Sequence, residues 1–237
     1  MLCLSRLLIV CAATTLPGVG PVDRRVPVDA SAAPWRAIGR VQTELGGRCT
    51  GFLAGPRIVL TAAHCLYRRG PAAFVQPGSV HFLLGYDRGH YAAHARVVAF
   101  TVGPGYDPRR QAETIGADWA ALTLDAPVGT PDRILPLAVA LPSAGTPVQL
   151  GGYGQDRAEL IDADLHCSVT RPALDRERHL LIEHDCSGTR GTSGAPLLTL
   201  EKAGWAALGI QVAAAPGQSI GVAVGAGEIR LPREPDR

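Results

Sequence analysis

Three residues in this 237-residue chain have the types and the surroundings that hydrolytic acyl transfer needs. His64 closes the segment CTGFLAGPRIVLTAAHC, in which an apolar strand, RIVL, runs into a small-residue turn. An imidazole placed there could act as a general base, provided a hydroxyl lies within hydrogen-bond reach. Ser193 stands in RGTSGAPLL with Gly191 two positions before it and Gly194 just after. A glycine-rich turn exposes the hydroxyl and lets backbone N–H groups approach the oxyanion of an acyl-transfer intermediate, and the amides of Gly191 and Ser193 are the candidate donors. Asp118 opens the apolar stretch of GADWAALTLDAPV. A carboxylate leading into a core needs a partner, and the ring N–H of His64 would be one, fixed by Asp118 in tautomer and orientation. Asp107 and Asp125 are rivals, but both precede a proline-marked turn and read as solvated turn residues. Each segment alone is weak, because glycine and serine fill ordinary turns everywhere.

Positioning such a triad falls to short strands. Gly (28) and Pro (19) interrupt the chain too often for long helices, and the apolar runs between them are rich in Val, Ile and Leu. An all-β fold follows. One set of β-like segments runs from Trp35 through WAALTLD, and a second of similar size runs from PVQLGGYG to IGVAVGA. The proline-marked stretch between them places a boundary at about residues 138/139, giving units 34–138 and 139–237 with a cleft between. A formal charge of +2 with scattered arginines gives no footprint for nucleic acid.

Residues 1–20 read as an export signal: Arg6, an apolar stretch from Leu7 to about Leu16, then small residues and Pro17. The stretch is well short of the roughly 20 residues a membrane span needs. Val10 before Cys11 argues against a lipid anchor. Residues 21–33 have no periodicity and carry the dibasic Arg24-Arg25, as a linker or short propeptide would. The expected product is secreted or periplasmic, monomeric and free of the membrane after signal removal. Of six cysteines, Cys3 and Cys11 leave with the signal, so Cys49, Cys65, Cys167 and Cys186 remain. In an exported chain they read as two disulfides, whose three possible connectivities the sequence leaves open.

The order His64, Asp118, Ser193 is that of the chymotrypsin type rather than of subtilisin or the α/β-hydrolases. With LTAAHC, ADWA and GTSGAP around the three residues, the chain resembles the trypsin/chymotrypsin-like serine peptidases. PWRAIGRV, GYGQD and HDCSGTRGTSGAP bring it near the bacterial glutamyl endopeptidases. The resemblance implies two six-stranded antiparallel β-barrels with the triad between them, and pairing of Cys49 with Cys65 around the histidine, which leaves Cys167 to Cys186. It implies a serine endopeptidase acting on protein or peptide substrates, with no cofactor. The alternative is an inactive protease-fold binding protein or adhesin.

Departures from the pattern bear on activation and specificity. Thr192 stands where zymogen-activated relatives carry the Asp that captures a new N-terminus, so that switch cannot operate. Ser187 takes the place of the Asp that trypsin-like specificity requires, and Gln211 that of the pocket histidine of glutamyl endopeptidases. Both are expected to line the substrate pocket and to favour a small or uncharged residue. His90 and His94 have helical metal-ligand spacing, but HYAAHARVVAF reads as extended, and His184-Asp185 adjoins a cysteine expected in a disulfide. No metal is expected at either place.

Overall fold

Short strands bounded by tight turns can bury apolar side chains only by closing on themselves, and this chain does so twice. The computed structural model describes residues 16–68, 70 and 72–232, and residues 1–15 of the expected export signal lie outside them. In chain order the strands are β1 (Arg25–Pro27), β2 (Ile38–Thr43), β3 (Arg48–Leu53), β4 (Ile58–Thr61), β5 (Tyr67–Arg68), β6 (Ala73–Phe74), β7 (Val80–Leu84), β8 (Ala93–Val102), β9 (Ala120–Leu124), β10 (Pro147–Gly152), β11 (Asp162–Leu174), β12 (Leu180–His184), β13 (Pro196–Glu201), β14 (Gly204–Ala214) and β15 (Gly221–Gly225). Helical structure among the described residues is confined to 3-10 turns of three or four residues.

The first barrel closes in the order β2-β3-β4-β9-β8-β7, with every pairing antiparallel. The second runs β11-β10-β13-β14-β15-β12 and closes through β11–β12. Strand β11 takes part twice because a register shift between Val169 and Arg171 bends it, so its first half pairs β10 and its second half β12. The fold is thus all-β, with two six-stranded antiparallel barrels, as the resemblance implies.

Burial follows from strand position. On β7, Val80, Phe82 and Leu84 are buried while His81 and Leu83 are only partly so, the alternation of a strand with one face toward solvent. On β4 all four residues are buried. Val59 joins Leu53, Leu66 and Phe82 in the first barrel's core, while Leu60 faces Phe52, Trp119, Tyr153 and Ile210 in a second core shared by both barrels. Strand β4, which leads into His64, therefore has no free face. The crossing between barrels is abrupt: the Leu135 N–H bonds Leu53 O on β3 at 2.9 Å, and Pro136 O accepts from Ala207 N on β14 at 2.8 Å.

Residues 21–33, whose composition suggests a linker or short propeptide, contain an ordered strand. Strand β1 lies antiparallel along β11, with Arg25 opposite Asp164 and Pro27 opposite Asp162. The Arg25 side chain is 1% exposed and holds Asp23 at 2.9 Å, Asp156 at 2.8 Å and Asp162 at 3.3 Å. A buried guanidinium is tolerated only when it is paired, and three carboxylates meet it. Burial alone would lower its pKa, but the bonds to Asp156 and Asp23 and the charge of Asp162 raise it further. Arg24 bonds Asp164 at 2.9 Å, so both residues of the dibasic pair are built into the second barrel.

Candidate active site

His64 sits in a 3-10 turn, Ala63–Leu66, directly after β4. Ala62 and Ala63 are fully buried, so the small side chains of LTAAHC let the turn pack flat against the barrel. The Cys49–Cys65 disulfide, with an S–S distance of 2.01 Å, pins this turn to β3. Asp118 follows another 3-10 turn, Ile115–Ala117, at the mouth of β9 and is fully buried. Its Oδ1 accepts the His64 backbone N–H at 2.8 Å, and its Oδ2 lies 2.7 Å from His64 Nδ1. An ionised carboxylate has no proton to give, so Nδ1 carries the hydrogen and Nε2 is left as the basic ring nitrogen. Buried without partners, Asp118 would cost several kcal/mol; its bonds offset this.

A third donor, unmarked in the sequence, completes the shell. Gln111 Nε2 lies 3.1 Å from Asp118 Oδ2. It belongs to a polar loop, seven residues upstream, where no periodicity or motif singles it out. Asp175 acts one step further away: its Oδ2 accepts the Gly116 N–H at 3.2 Å and bonds His179 Nδ1 at 2.9 Å. A hairpin of the second barrel thereby braces the turn that presents Asp118.

Ser193 reaches the same place from the second barrel. Its carbonyl accepts the Thr50 N–H at 2.9 Å and lies 3.9 Å from Cys65 Sγ, next to His64. Gly194 has φ +85°, and a Cβ there would stand 2.1 Å from Thr50 O and 2.2 Å from Thr61 Oγ1. Only glycine lets the serine turn come this close. Gly191 has φ +92°, and its Cβ would fall 2.3 Å from Tyr153 O. Arg190 O is held by the Gln155 N–H at 2.6 Å. In a trans peptide the N–H points opposite to the C=O, so this bond turns the Gly191 amide away from Gln155.

The expected pocket residues behave differently from one another. Ser187 is buried, its N–H bonded to Asp164 Oδ2 at 2.8 Å and its Oγ 3.1 Å from Ser219 Oγ. Gln211 does not present its amide to substrate: Nε2 donates to Ala213 O at 2.7 Å, and Oε1 lies 2.7 Å from His184 Nε2. A register shift between Gln211 and Ala213 in β14 accompanies this inward turn. His184 is fully buried, and burial holds its pKa down at about 4 against the opposing bond from Gln211. The neutral tautomer with hydrogen on Nε2 satisfies both neighbours, since Nδ1 accepts the Cys186 N–H at 3.2 Å. Residues 18–20 lie against the same wall: Gly18 N bonds Ala215 O, Gly188 N bonds Gly18 O, and Gly20 N bonds Ser219 Oγ, each at 2.9 Å.

The second disulfide joins Cys167 and Cys186, so the cysteine beside His184 is a cystine. His94 lies on β8 and approaches His81 Nδ1 at 2.9 Å, while His90 forms a bridge with Asp87. The one place among the described residues where three His, Cys, Asp or Glu ligand atoms gather is Cys49, His64 and Cys65, whose sulfurs are bonded to each other and offer no thiolate.

Comparison with known proteins agrees with this arrangement. The sequence profile of the trypsin family, described as Trypsin, matches residues 24–227. This chain belongs to the trypsin family. It is 28% identical over 141 residues to a glutamyl endopeptidase of Bacillus licheniformis, covering 59% of this chain and 42% of that protein. It is 30% identical over 135 residues to trypsin iota of Drosophila melanogaster, covering 55% of this chain and 49% of that protein. The matched stretch thus spans less than half the length of either relative. Among solved structures, a Glu endopeptidase in complex with MPD superposes with a TM-score of 0.73 at 22% identity, over 88% of this chain and 93% of that one. That likeness is one of fold.

Proposed function

We propose that this trypsin-family chain is a secreted serine endopeptidase that hydrolyses peptide bonds through an acyl-enzyme on Ser193. The observation that carries this reading is the doubly bonded His64–Asp118 pair, set beside the serine turn where the barrels meet. His64 Nε2 takes the Ser193 hydroxyl proton as the oxygen attacks the carbonyl, and later gives it to the leaving amine. Asp118 supports the imidazolium. The amides of Gly191 and Ser193 receive the oxyanion, a contribution of roughly 3 kcal/mol per donor in such sites. Water then releases the acyl group by the same steps in reverse.

The residue on the acyl side of the cut is small and uncharged in this reading. Ser187 and Ala213–Ala215 bring no charge to the wall, and Gln211 and neutral His184 bring none behind it. The Bacillus relative is a glutamyl endopeptidase, but no cation among these groups would answer a glutamate here. Asp164 lies behind Ser187 with its charge answered by Arg24, which leaves it unfit to receive an arginine or lysine.

Labelling with an organophosphonate tests the chemistry, because only an activated serine reacts. The mature protein should take up one label on Ser193, and Ser193→Ala should fold natively, take up none and lose peptide hydrolysis. Undiminished hydrolysis by that variant would falsify the assignment.

A further inference from the structure

Beside Gly191 lies a depression of about 320 Å³, whose lining includes Gly46, Arg48, Tyr153, Gln155, Arg190 and Gly191. Its position relative to the scissile bond follows from its neighbours. Arg48 directly precedes Cys49, whose disulfide partner Cys65 directly follows His64. The Arg48 rim of the depression is thereby tied to the turn that carries His64, the group that must protonate the departing amine, and Ser187 and Ala213–Ala215 are not among its lining residues. Gly191 belongs both to the depression and to the oxyanion donors, so a group lying there is within a residue or two of the cut.

Arginine outweighs acid around it. Arg48 and Arg190 are both exposed. The acids nearest in sequence are engaged elsewhere: Asp156 holds Arg25 at 2.8 Å, and Glu159 bonds Arg40 at 3.3 Å and Tyr86 Oη. Glu159 reaches Arg48 only at 3.8 Å, and among the described residues Arg190 pairs with no carboxylate. Arg190 O is bonded to Gln155 N and Thr50 Oγ1 donates to Gly191 O at 2.8 Å, so the backbone beneath the cations is fixed. Two guanidinium groups over a rigid floor suit a carboxylate, which accepts their paired donors.

We infer that this depression is a leaving-group subsite that selects a carboxylate within two residues after the cut. The inference rests on the peptidase reading above and names a substrate class for it. The carboxylate comes from an aspartate or glutamate side chain, or from the free C-terminus of a short leaving peptide, and the two sources are separable.

The test uses internally quenched peptides built on a sequence the mature enzyme cuts in a denatured protein digest. The acyl side is held constant and the second residue after the cut is Asp, Asn or Lys, each with an amidated or a free C-terminus. kcat/KM should be about three- to tenfold higher for Asp than for Asn, the size expected of partly exposed ion pairs, and lowest for Lys. The Asp advantage should shrink as NaCl is raised from about 0.05 to 0.5 M, where screening shortens to a few ångströms. Arg48→Glu combined with Arg190→Glu should invert the Asp to Lys ratio. An advantage seen only with the free C-terminus assigns the site to the terminal carboxylate. Equal kcat/KM for Asp, Asn and Lys, with both termini, in a peptide that is cut overturns the subsite while leaving the peptidase intact. No cutting and no phosphonate label on Ser193 overturns the peptidase reading, and the subsite with it.

Discussion

The two barrels hold their shares of the site by opposite means. In the first, side chains do the holding: a cystine ties down the His64 turn, and the Asp118 carboxylate collects bonds from His64 and Gln111. In the second, the backbone does it: Gly191 and Gly194 adopt positive φ, the Gly194 N–H bonds Gln211 O at 2.7 Å, and Arg190 O is held by Gln155. Side-chain contacts can be lost one at a time. A backbone conformation with no room for a Cβ is kept or lost as a whole. Substitutions should therefore give graded losses around His64 and abrupt ones around Ser193.

The sharpest test of that contrast is Gly194→Ala. Its methyl would meet a carbonyl and a threonine hydroxyl at little more than 2 Å in a conformation that L residues avoid, so the serine turn must move. Activity should fall by at least ~100-fold, the scale of a lost oxyanion donor, with a lower Tm. A variant with near-native kcat/KM would show that the second barrel tolerates adjustment as readily as the first.

Burial behind the pocket sets a second expectation, read in the pH dependence of stability and not in turnover. His184 has a folded pKa of about 4 against the usual 6.5, so the unfolded chain binds the extra proton between those values. The stabilisation is present above pH 6.5 and is lost as pH falls toward 4, by roughly 3 kcal/mol in all. Denaturant unfolding at pH 7 and pH 4 should show this slope, and His184→Gln should flatten it. The same slope in both proteins would place the acid sensitivity elsewhere, for example in the carboxylates around Arg25.

How much of this was legible in the sequence follows the same division. The three triad segments could be read because each joins a chemically special residue to a local pattern: an apolar strand into a small-residue turn at His64, glycines around Ser193, a carboxylate opening a strand at Asp118. The all-β class and the division into two units could be read because turns punctuate short apolar runs, whereas closure into six-stranded barrels was implied by the family resemblance. Strand β1 could not, since Arg25 is stabilised by Asp156 and Asp162, more than a hundred residues away, and a three-residue edge strand leaves no periodicity. Gln211 was placed in the pocket by its position, but a register shift in β14 turned its amide toward His184, and nothing local announces a bulge. Gln111 and Asp175 were missed because their partners are fixed by tertiary structure alone.

Gln111 supplies the smallest and most discriminating test. It shares Asp118 Oδ2 with His64 Nδ1 and sits half-buried in a loop, so its removal empties no core. A neutral donor on a carboxylate competes with the imidazole for the same negative charge. Gln111→Ala should lower kcat about fivefold with KM unchanged, corresponding to ~1 kcal/mol of lost positioning. A merely structural loop residue would lower Tm or raise KM along with kcat, and Gln111→Asn, which keeps an amide donor, should recover part of the loss. If kcat does not change, the two His64 bonds alone hold Asp118, and the first barrel is stiffer at its carboxylate than its side-chain construction implies.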